Sequence, residues 1–239
     1  MYEELKKIIE ESNRIVFFGG AGVSTESNIP DFRSEKGLYN AIKTYNYSPE
    51  EMLSKTFFMS HTELFYDYYK KNLIHKDAKP NKAHIALAKL EEQGKIEAII
   101  TQNIDGLHQA AGSKKVFELH GTIHRNYCMK CGKFYNLSTI LNTEGITKCY
   151  ECGGIIKPDV VLYEEPLDDE IINKSIKAVQ NADTLIIGGT SLVVYPAAGL
   201  INYFSGKYLV LINKSKTEYD SSADLVINAP IGEVMEEIV

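Results

Sequence analysis

Three features are absent from the 239-residue sequence, and each absence argues against a class of protein. No run of apolar residues approaches the ~18 that a membrane-spanning helix needs. Basic residues are not in excess: 26 Lys and Arg face 32 Asp and Glu, for a net charge of −6. A nucleic-acid partner is therefore not expected, because phosphate binding requires a basic surface. The opening segment, MYEELKKIIEES, has the pattern of an amphipathic helix rather than of an export signal, so we expect a cytoplasmic protein without a membrane partner.

Cysteine is also scarce, and its few residues are regularly spaced. The four cysteines form two Cys-x-x-Cys pairs, which are Cys128 with Cys131 and Cys149 with Cys152. The separation of the pairs is typical of a four-cysteine zinc ribbon, and without an export signal it favours metal binding over a disulfide framework. Four thiolates would fill a tetrahedral zinc shell and leave no position for water or substrate. The sequence therefore predicts one structural zinc ion.

Short and almost wholly apolar segments recur along the chain, at residues 15–18, 96–100, 160–163, 184–187 and 208–212. Strands that are apolar on both faces are typical of a parallel sheet covered by helices on each side. Helical patterns lie between them, over residues 81–92 and 168–181. This alternation predicts an α/β fold with a doubly wound, Rossmann-like parallel sheet.

Two segments interrupt the alternation. Residues 35–79 are rich in Tyr and Phe and predict short helices, while residues 122–157 contain all four cysteines. We expect these two segments to form a smaller inserted domain, a helical insert plus a zinc ribbon. Residues 1–34, 80–121 and 158–239 then form the Rossmann-like domain.

A glycine-rich turn, GGAGVS at residues 19–24, follows the first predicted strand. Such a turn between strand and helix lets the backbone approach a pyrophosphate, and a helix N-terminus supplies N–H donors. The dehydrogenase pattern G-x-G-x-x-G is incomplete, because Thr25 occupies its third glycine position. On its own, the motif also fits a tight turn that binds nothing.

Polar residues follow three other predicted strands. They lie in TQNIDGLH at 101–108, GGTSLVVYP at 188–196 and LINK at 211–214. In open α/β sheets ligands bind at the carboxyl ends of strands, so these segments are candidates for one shared site. Helix capping by Asn103 or Asp105, or ordinary turns, are the alternatives.

One of the six histidines, His120, also belongs to this group. It follows the predicted strand at residues 116–119 and precedes Gly121, which places an imidazole in the same crevice. An imidazole is suited to act as a general base near neutral pH.

Taken together, these motifs resemble those of the sirtuin family. GAGVSTESNIPDFR at residues 20–33 is similar to the family pattern GAGxSxxSGIPDFR, with Asn28 where glycine is common. Asn tolerates positive φ better than other non-glycine residues, so we expect the loop shape to survive. The segments TQNIDGLH, the His120–Gly121 pair, GTSLVVYPA and the Ile212–Asn213 pair resemble further sirtuin motifs, in the family's order.

The resemblance implies an NAD-dependent protein-lysine deacetylase, which transfers the acyl group of acyl-lysine to ADP-ribose and releases nicotinamide. It implies His120 as the base, with Asn103 and Asp105 holding the nicotinamide and the attacking geometry. NAD is then the co-substrate, and acetylated proteins or peptides are the partners. The cofactor-binding residues implied are Gly20, Ala21, Gly22, Thr25, Asp31, Phe32, Arg33, Gln102, Asn103, Asp105, Gly189, Thr190, Ser191, Asn213, Lys214 and Ile231.

By the same resemblance, the peptide binds as an added strand between residues 161–165 and 193–195. The substrate-binding residues implied are Val161, Leu162, Tyr163 and Val193. Glu164 stands where the family commonly has glycine; its carboxylate either favours basic substrate flanks or points to solvent.

A further resemblance concerns the acyl group. Sirtuins that remove acidic acyl groups have a Tyr-x-x-Arg pair on a helix, and here Tyr66 and Tyr69 occupy the two positions. With no arginine in the pair, we expect a preference for uncharged acyl groups. Packing of the aromatic cluster is the alternative, and in that case too no arginine is present to bind an acidic acyl group.

Two other functions remain open from the sequence alone. One is an NAD-dependent ADP-ribosyltransferase or NAD hydrolase that uses the same pocket. The other is a zinc-ribbon binding module with a vestigial nucleotide fold, against which the presence of His120, Asn103 and Asp105 argues. A dehydrogenase is disfavoured by the missing third glycine.

Overall fold

The computed structural model describes residues 2–31 and 42–239. Its larger sheet has six parallel strands, in spatial order β3 (Val116–Glu118), β2 (Ile96–Thr101), β1 (Ile15–Gly19), β7 (Thr184–Gly188), β8 (Tyr208–Ile212) and β9 (Leu225–Ile227). From β1, the chain adds β2 and β3 on one side of the sheet and then β7, β8 and β9 on the other. This change of direction places the topological switch point between β1 and β7. The predicted doubly wound, Rossmann-like fold is confirmed.

The helices with both ends among the described residues are α1 (Tyr2–Glu11), α2 (Pro49–Met52), α3 (Lys55–Ser60), α4 (Thr62–Asn72), α5 (Lys82–Glu92), α6 (Leu107–Ala110), α7 (Leu137–Leu141), α8 (Asp169–Asn181) and α9 (Ile231–Glu236). Residues 42–45 are also helical. Short 3-10 helices occur at Ala21–Val23, Thr25–Ser27, Ala197–Tyr203 and Asp220–Ser222. Across residues 2–31 and 42–239, none of these helices has both the length and the apolar character needed to span a bilayer.

Helices cover both faces of the large sheet, because its strands are apolar on both sides. Ile15 and Phe17 of β1 pack with α1, α5 and α9 on one face. Val16 and Phe18 of the same strand pack with α8 and the Ala197–Tyr203 helix on the other. This division follows from the alternation of side chains along a strand. The two predicted helices are confirmed, and their first turns are capped by the side chains of Asn81 and Asp168.

A second, antiparallel sheet contains β5 (Phe134–Asn136), β4 (Gly121–Cys128) and β6 (Ile156–Val160), in that order. Its side chains share one core with α2, α3 and α4, including Phe58, Phe65 and Ile156. The smaller unit therefore combines a helical segment with the cysteine-containing ribbon, as expected.

The prediction of a parallel strand at residues 160–163 is wrong. The strand there is β6, which ends at Val160 and pairs antiparallel with β4. Ile156, Pro158 and Val160 are buried in alternation with less buried Lys157 and Asp159. That alternation fits a sheet with one covered face, whereas the apolar segment 160–163 alone suggested a strand buried on both faces.

Candidate functional site

The carboxyl ends of four neighbouring strands lie at one level of the large sheet. The register pairs Thr101 with Gly19, Gly19 with Gly188 and Gly188 with Ile212. Each strand therefore delivers its following residues to the same edge, where open α/β sheets bind ligands. A cavity of ≈ 730 Å³ lies along this edge and extends to residues 160–165, which follow the small sheet. This cavity is the candidate site.

Most of the predicted site residues line the cavity. They include the three predicted catalytic residues, His120, Asn103 and Asp105. The predicted cofactor-binding residues on its wall are Gly20, Ala21, Gly22, Thr25, Asp31, Gln102, Gly189, Thr190, Ser191, Asn213, Lys214 and Ile231. Of the predicted substrate residues, Val161, Leu162 and Tyr163 line the cavity. Val193 is exposed and does not line it, whereas the next two residues, Val194 and Tyr195, do. Phe32 and Arg33 lie outside the described residues.

The glycine-rich turn is pressed against the loop that follows β7. The N–H of Gly22 donates to the Gly189 carbonyl at 2.8 Å. A Cβ added at Gly22 would lie 2.7 Å from the Gly189 Cα atom, so this crossing requires glycine. Two 3-10 turns, Ala21–Val23 and Thr25–Ser27, follow strand β1, so the N–H groups at this turn belong to 3-10 turns rather than to the N-terminus of an α-helix.

Asn28 adopts the backbone conformation that the sequence led us to expect. Its φ is 62° and its ψ is 24°, in the left-handed region, where it ends the second 3-10 turn. Asn is among the few non-glycine residues that populate this region readily. The replacement of the usual glycine therefore preserves the loop.

Ser24, Asn103 and Asp105 form a hydrogen-bonded group on the cavity wall, in which Ser24 is buried and the other two are half-buried. The Ser24 hydroxyl donates to Asp105 Oδ2 at 2.6 Å and accepts from Asn103 Nδ2 at 3.0 Å. Asp105 Oδ1 also accepts from the Leu107 N–H, the first of α6, at 2.9 Å, although the N-cap residue of that helix is Gly106. Ser24 was missing from the predicted site residues. Its place in the glycine-rich turn was the available signal.

A second set of hydrogen bonds joins the loops after β2, β7 and β8. Gln102 Nε2 donates to Thr190 Oγ1 at 3.0 Å, and the Thr190 N–H donates to Asn213 Oδ1 at 2.9 Å. Three predicted cofactor-binding residues therefore fix one another's positions. Such mutual support keeps a polar site in one arrangement before a ligand arrives.

His120 is held in one tautomer by the main chain. Its Nδ1 lies 3.0 Å from the Gln102 carbonyl, and because a carbonyl can only accept, Nδ1 carries the proton. Nε2 is then the acceptor nitrogen of the neutral ring. Burial lowers the pKa of His120, and the hydrogen bond to Gln102 opposes this in part. The side chain is therefore suited to accept a proton at neutral pH.

The helix α4 presents other residues to the cavity than the sequence suggested. Tyr66 and Tyr69 are buried in the small core, where the Tyr69 ring stacks on Phe65. Tyr68 and Asn72 line the cavity instead. The structure thus favours packing for the predicted pair. The spacing of four residues between Tyr68 and Asn72 predicts that they share one helix face, but it does not indicate that this face meets the cavity.

The four cysteine sulfurs converge at the end of the small sheet. All lie within 4.8 Å of one another, with Cys128 and Cys152 Sγ 3.4 Å apart and Cys131 and Cys149 Sγ 3.6 Å apart. A tetrahedral zinc with Zn–S bonds of about 2.3 Å separates its sulfurs by about 3.8 Å, so the cluster fits this ion. The Tyr135 hydroxyl donates to Cys149 Sγ at 3.0 Å and lowers the pKa of that thiol to about 6. This contact favours the thiolate that zinc requires.

The segment at 161–165 is held against the helical part of the small unit. Tyr163 donates its N–H to the Leu53 carbonyl and accepts from the Lys55 N–H. Glu164 has φ 74°, and its carboxylate accepts from the N–H and hydroxyl of Thr56 at 2.9 and 2.7 Å. These bonds lower the pKa of Glu164. The carboxylate is thus exposed at the surface and hydrogen-bonded to Thr56, a contact that the sequence alone did not predict.

Comparison with known proteins adds a further finding. The sequence model of the Sir2 family matches residues 20–196 of this chain. A protein of Clostridium acetobutylicum named NAD-dependent protein deacetylase is 67% identical over 237 residues, which cover 99% of this chain and 97% of the relative.

Solved structures of Sir2 proteins are similar over the same length. A Sir2 complex with a p53 peptide and NAD+ has a TM-score of 0.88 at 40% identity, covering 100% of this chain and 97% of that chain. A second Sir2 structure, with deacetylated p53 peptide and 3′-O-acetyl ADP-ribose, has a TM-score of 0.89 at 40% identity and covers 99% and 96% of the two chains.

Proposed function

The chain belongs to the Sir2 family of NAD-dependent protein deacetylases, and we propose that it performs this reaction in the cavity at the edge of the large sheet. One observation carries the proposal. A glycine-rich turn, the Ser24–Asn103–Asp105 group and a histidine with an acceptor Nε2 all face one cavity. The reaction transfers the acyl group of acyl-lysine to ADP-ribose and releases nicotinamide.

NAD is the co-substrate, and it supplies the ADP-ribose that accepts the acyl group. We assign its pyrophosphate to the backbone of residues 20–24, where glycines allow close approach. Asn103 and Asp105 are assigned to the nicotinamide end, since Ser24 fixes both side chains. Thr190, Asn213 and the residues around them are assigned to the adenosine end. The glycine crossing and the hydrogen bonds between these loops support this orientation.

His120 is proposed to act as general base after nicotinamide has left. Its Nε2 takes a proton from a ribose hydroxyl, so that the oxygen can attack the acyl carbon. The hydrogen bond from Nδ1 to the Gln102 carbonyl supports this role, because it keeps the lone pair on Nε2. A buried ring with a lowered pKa remains neutral and able to accept at physiological pH.

Acetylated proteins or peptides are the proposed partners, bound as an added strand beside residues 161–163 and near Val193. Main-chain pairing of this kind gives affinity with little demand on sequence. The pairing of Tyr163 with Leu53 and Lys55 supports this role, because it keeps the segment extended before a peptide arrives. We also propose a cytoplasmic location and no nucleic-acid partner. Four cysteines arranged for zinc suit a reducing compartment, and the net charge is −6.

One experiment tests the proposal directly. The protein is incubated with NAD and a set of acyl-lysine peptides, and the products are identified by mass. We expect deacylated peptide, nicotinamide and O-acyl-ADP-ribose in equal amounts. Free ADP-ribose with intact peptide would indicate an NAD hydrolase, and ADP-ribosylated protein would indicate a transferase acting on protein.

A further inference from the structure

A bridge of three charged residues spans the junction between the two sheets. Glu118 is the last residue of β3 in the large sheet, Arg125 lies in β4 and Asp159 lies in β6 of the small sheet. Arg125 Nη1 is 2.9 Å from Glu118 Oε2, and Arg125 Nε is 2.7 Å from Asp159 Oδ2. One guanidinium therefore connects the edge strand of the large sheet to two strands of the small one.

The bridge is strongly constrained at Glu118. The side chain of Glu118 is only 8% exposed, and its second oxygen accepts from Gln109 Nε2 at 2.9 Å. A buried carboxylate that loses its cationic partner is costly, so Arg125 has little freedom to leave. The planar fork of arginine also fixes the direction between its two carboxylate partners, which a lysine does less well.

His120 lies inside the loop that this bridge closes. The chain runs from Glu118 through His120 and Gly121 into β4 and on to Arg125. The residue that follows strand β6 contacts His120 directly, because the Val161 N–H donates to the His120 carbonyl at 3.0 Å. A Cβ added at Gly121 would lie 1.9 Å from the Asp159 carbonyl oxygen, so the two strands are in direct contact there. The main chain of His120 is thus held by residues 159–161, and the side chain of Asp159 belongs to the bridge.

The residues assigned to the nicotinamide end are held by other contacts. Asn103 and Asp105 are fixed by the Ser24 hydroxyl, and Asp105 also by the Leu107 N–H. None of these side-chain contacts passes through the bridge. Strand β4 does contact the main chain beside them, because the Ile104 carbonyl accepts from the Ile123 N–H and the Asp105 carbonyl lies 3.1 Å from His124 Nε2, but the side chains themselves are held by Ser24 and Leu107. Breaking the bridge should therefore disturb His120 more than Asn103 and Asp105.

We infer that Arg125, together with Glu118 and Asp159, is a positioning residue that aligns His120 for its proton transfer. The inference rests on the proposed role of His120. In that reaction the bond between the ribose C1′ and nicotinamide breaks first, as the acyl oxygen bonds to C1′ and nicotinamide leaves with the electron pair. His120 acts only afterwards. A misplaced His120 should therefore slow the later step and spare the earlier, reversible one.

Two assays on Arg125→Met separate these steps. The first measures O-acyl-ADP-ribose formation, and the second measures exchange of labelled nicotinamide into NAD with acetyl-peptide present. We expect product formation to fall about 10- to 100-fold, the range for a small misplacement of a catalytic group. Exchange and the KM for NAD should change little, and Arg125→Lys should restore part of the lost product formation. Lys115→Met, which removes an exposed ion pair with Glu97 outside the cavity, is the control and should behave as wild type.

A further variant separates positioning from stability. Arg125→Met leaves the buried Glu118 carboxylate unpaired, so the double variant Glu118→Gln with Arg125→Met removes that charge as well. We expect it to recover thermal stability but not product formation. Equal loss of exchange and product formation, recovery of product formation in the double variant, or a wild-type rate for Arg125→Met would each overturn the inference. Failure of the proposed function is distinct: wild type would then form no O-acyl-ADP-ribose, or His120→Ala would form it at the wild-type rate.

Discussion

At the scale of single residues, the chemical state of His120 follows from its burial and from one hydrogen bond. The Gln102 carbonyl fixes the proton on Nδ1, and burial disfavours the charged ring. His120→Ala should reduce deacetylation by about 10²–10⁴-fold, the usual contribution of general acid–base catalysis. NAD affinity should change little, because the residues assigned to the pyrophosphate use their backbone. His61→Ala, an exposed histidine outside the cavity lining, is the matched control in kcat and NAD-binding measurements.

The same residue predicts the pH dependence of the reaction. A base must be deprotonated, so kcat/KM should increase as pH rises through the pKa of His120. Because burial lowers this pKa from its ordinary 6.5, the half-maximal rate on the acidic side should lie below pH 6.5. A profile of kcat/KM between acidic and neutral pH measures it. A midpoint above 6.5, or the same limb in His120→Ala, would contradict the assignment.

Glu164 provides a second prediction at this scale. Its φ of 74° is unfavourable for a residue with a side chain, whereas its carboxylate gains two hydrogen bonds from Thr56. Glu164→Gly loses the bonds but relieves the strain, and Glu164→Ala loses the bonds and keeps the strain. We therefore expect the alanine variant to have the lower Tm of the two. Thr56→Ala tests the contribution of these bonds by removing the Thr56 hydroxyl that donates to Glu164. A higher Tm for Glu164→Ala than for Glu164→Gly would refute this reasoning.

At the scale of secondary-structure elements, we expect α4 to influence which acyl groups the cavity can hold. Among the described lining residues no arginine is present, and α4 contributes Tyr68 and Asn72. An acidic acyl group would lack a forked, charged partner there, and a poorly paired buried charge costs several kcal/mol. We expect kcat/KM for an acetyl-lysine peptide to exceed that for the succinyl version of the same peptide.

A variant of α4 makes this expectation sharper. Asn72→Arg places a guanidinium on the helix face that lines the cavity, so the ratio of succinyl to acetyl kcat/KM should rise. Tyr69→Arg, at the position indicated by sequence resemblance, should instead destabilise the small core, because Tyr69 is fully buried. A larger gain in succinyl activity from Tyr69→Arg than from Asn72→Arg would favour the resemblance over the structure.

Several elements could be predicted from the sequence because local patterns determine them. The parallel strands follow from apolar segments, the two helices that begin near Asn81 and Asp168 from their periodicity, and the left-handed Asn28 from its tolerance of positive φ. The antiparallel pairing of β6 was missed because it depends on β4, whose paired residues lie 28 to 39 positions earlier in the chain. Burial of Tyr69 was one of two alternatives from the sequence, and the sequence could not choose between them, because the core that contains Tyr69 also includes residues of the ribbon that periodicity within α4 does not identify.

In the candidate site, too, local patterns predicted some residues, whereas others depend on how distant parts of the chain pack. Residues that follow strands were predicted, because parallel strands place their carboxyl ends together. Tyr68, Asn72 and His75 were not, since they reach the cavity from the smaller unit. Which face of α4 meets the cavity depends on how two units pack, and no spacing in the sequence encodes that directly.

At the scale of the whole molecule, zinc connects the ribbon to a core shared with α2–α4. Cys128 and Cys149 are buried members of that core. Structural zinc sites contribute roughly 10–16 kcal/mol of apparent binding free energy at neutral pH. Cys149→Ala, or a strong chelator, should therefore unfold the region from Cys128 to Cys152 and abolish activity. Metal analysis and circular dichroism measure the effect, and added zinc should restore the chelated wild type but not the variant. Full activity in protein with well under one zinc per chain would be incompatible with this role.

The central pairing of β1 with β7 has a consequence for synthesis on the ribosome. Ile15 and Thr184 are neighbours in the sheet, although 168 residues separate them in the chain. The glycine-rich turn is thus made early, yet Gly189, against which it closes, emerges only when most of the polypeptide has been translated. Until then β1 has no neighbouring strand on the side where β7, β8 and β9 will lie, and its apolar side chains are available to a chaperone. The ribbon, by contrast, is complete once Val160 has emerged. Zinc can therefore stabilise the ribbon before β7 has been translated and has paired with β1.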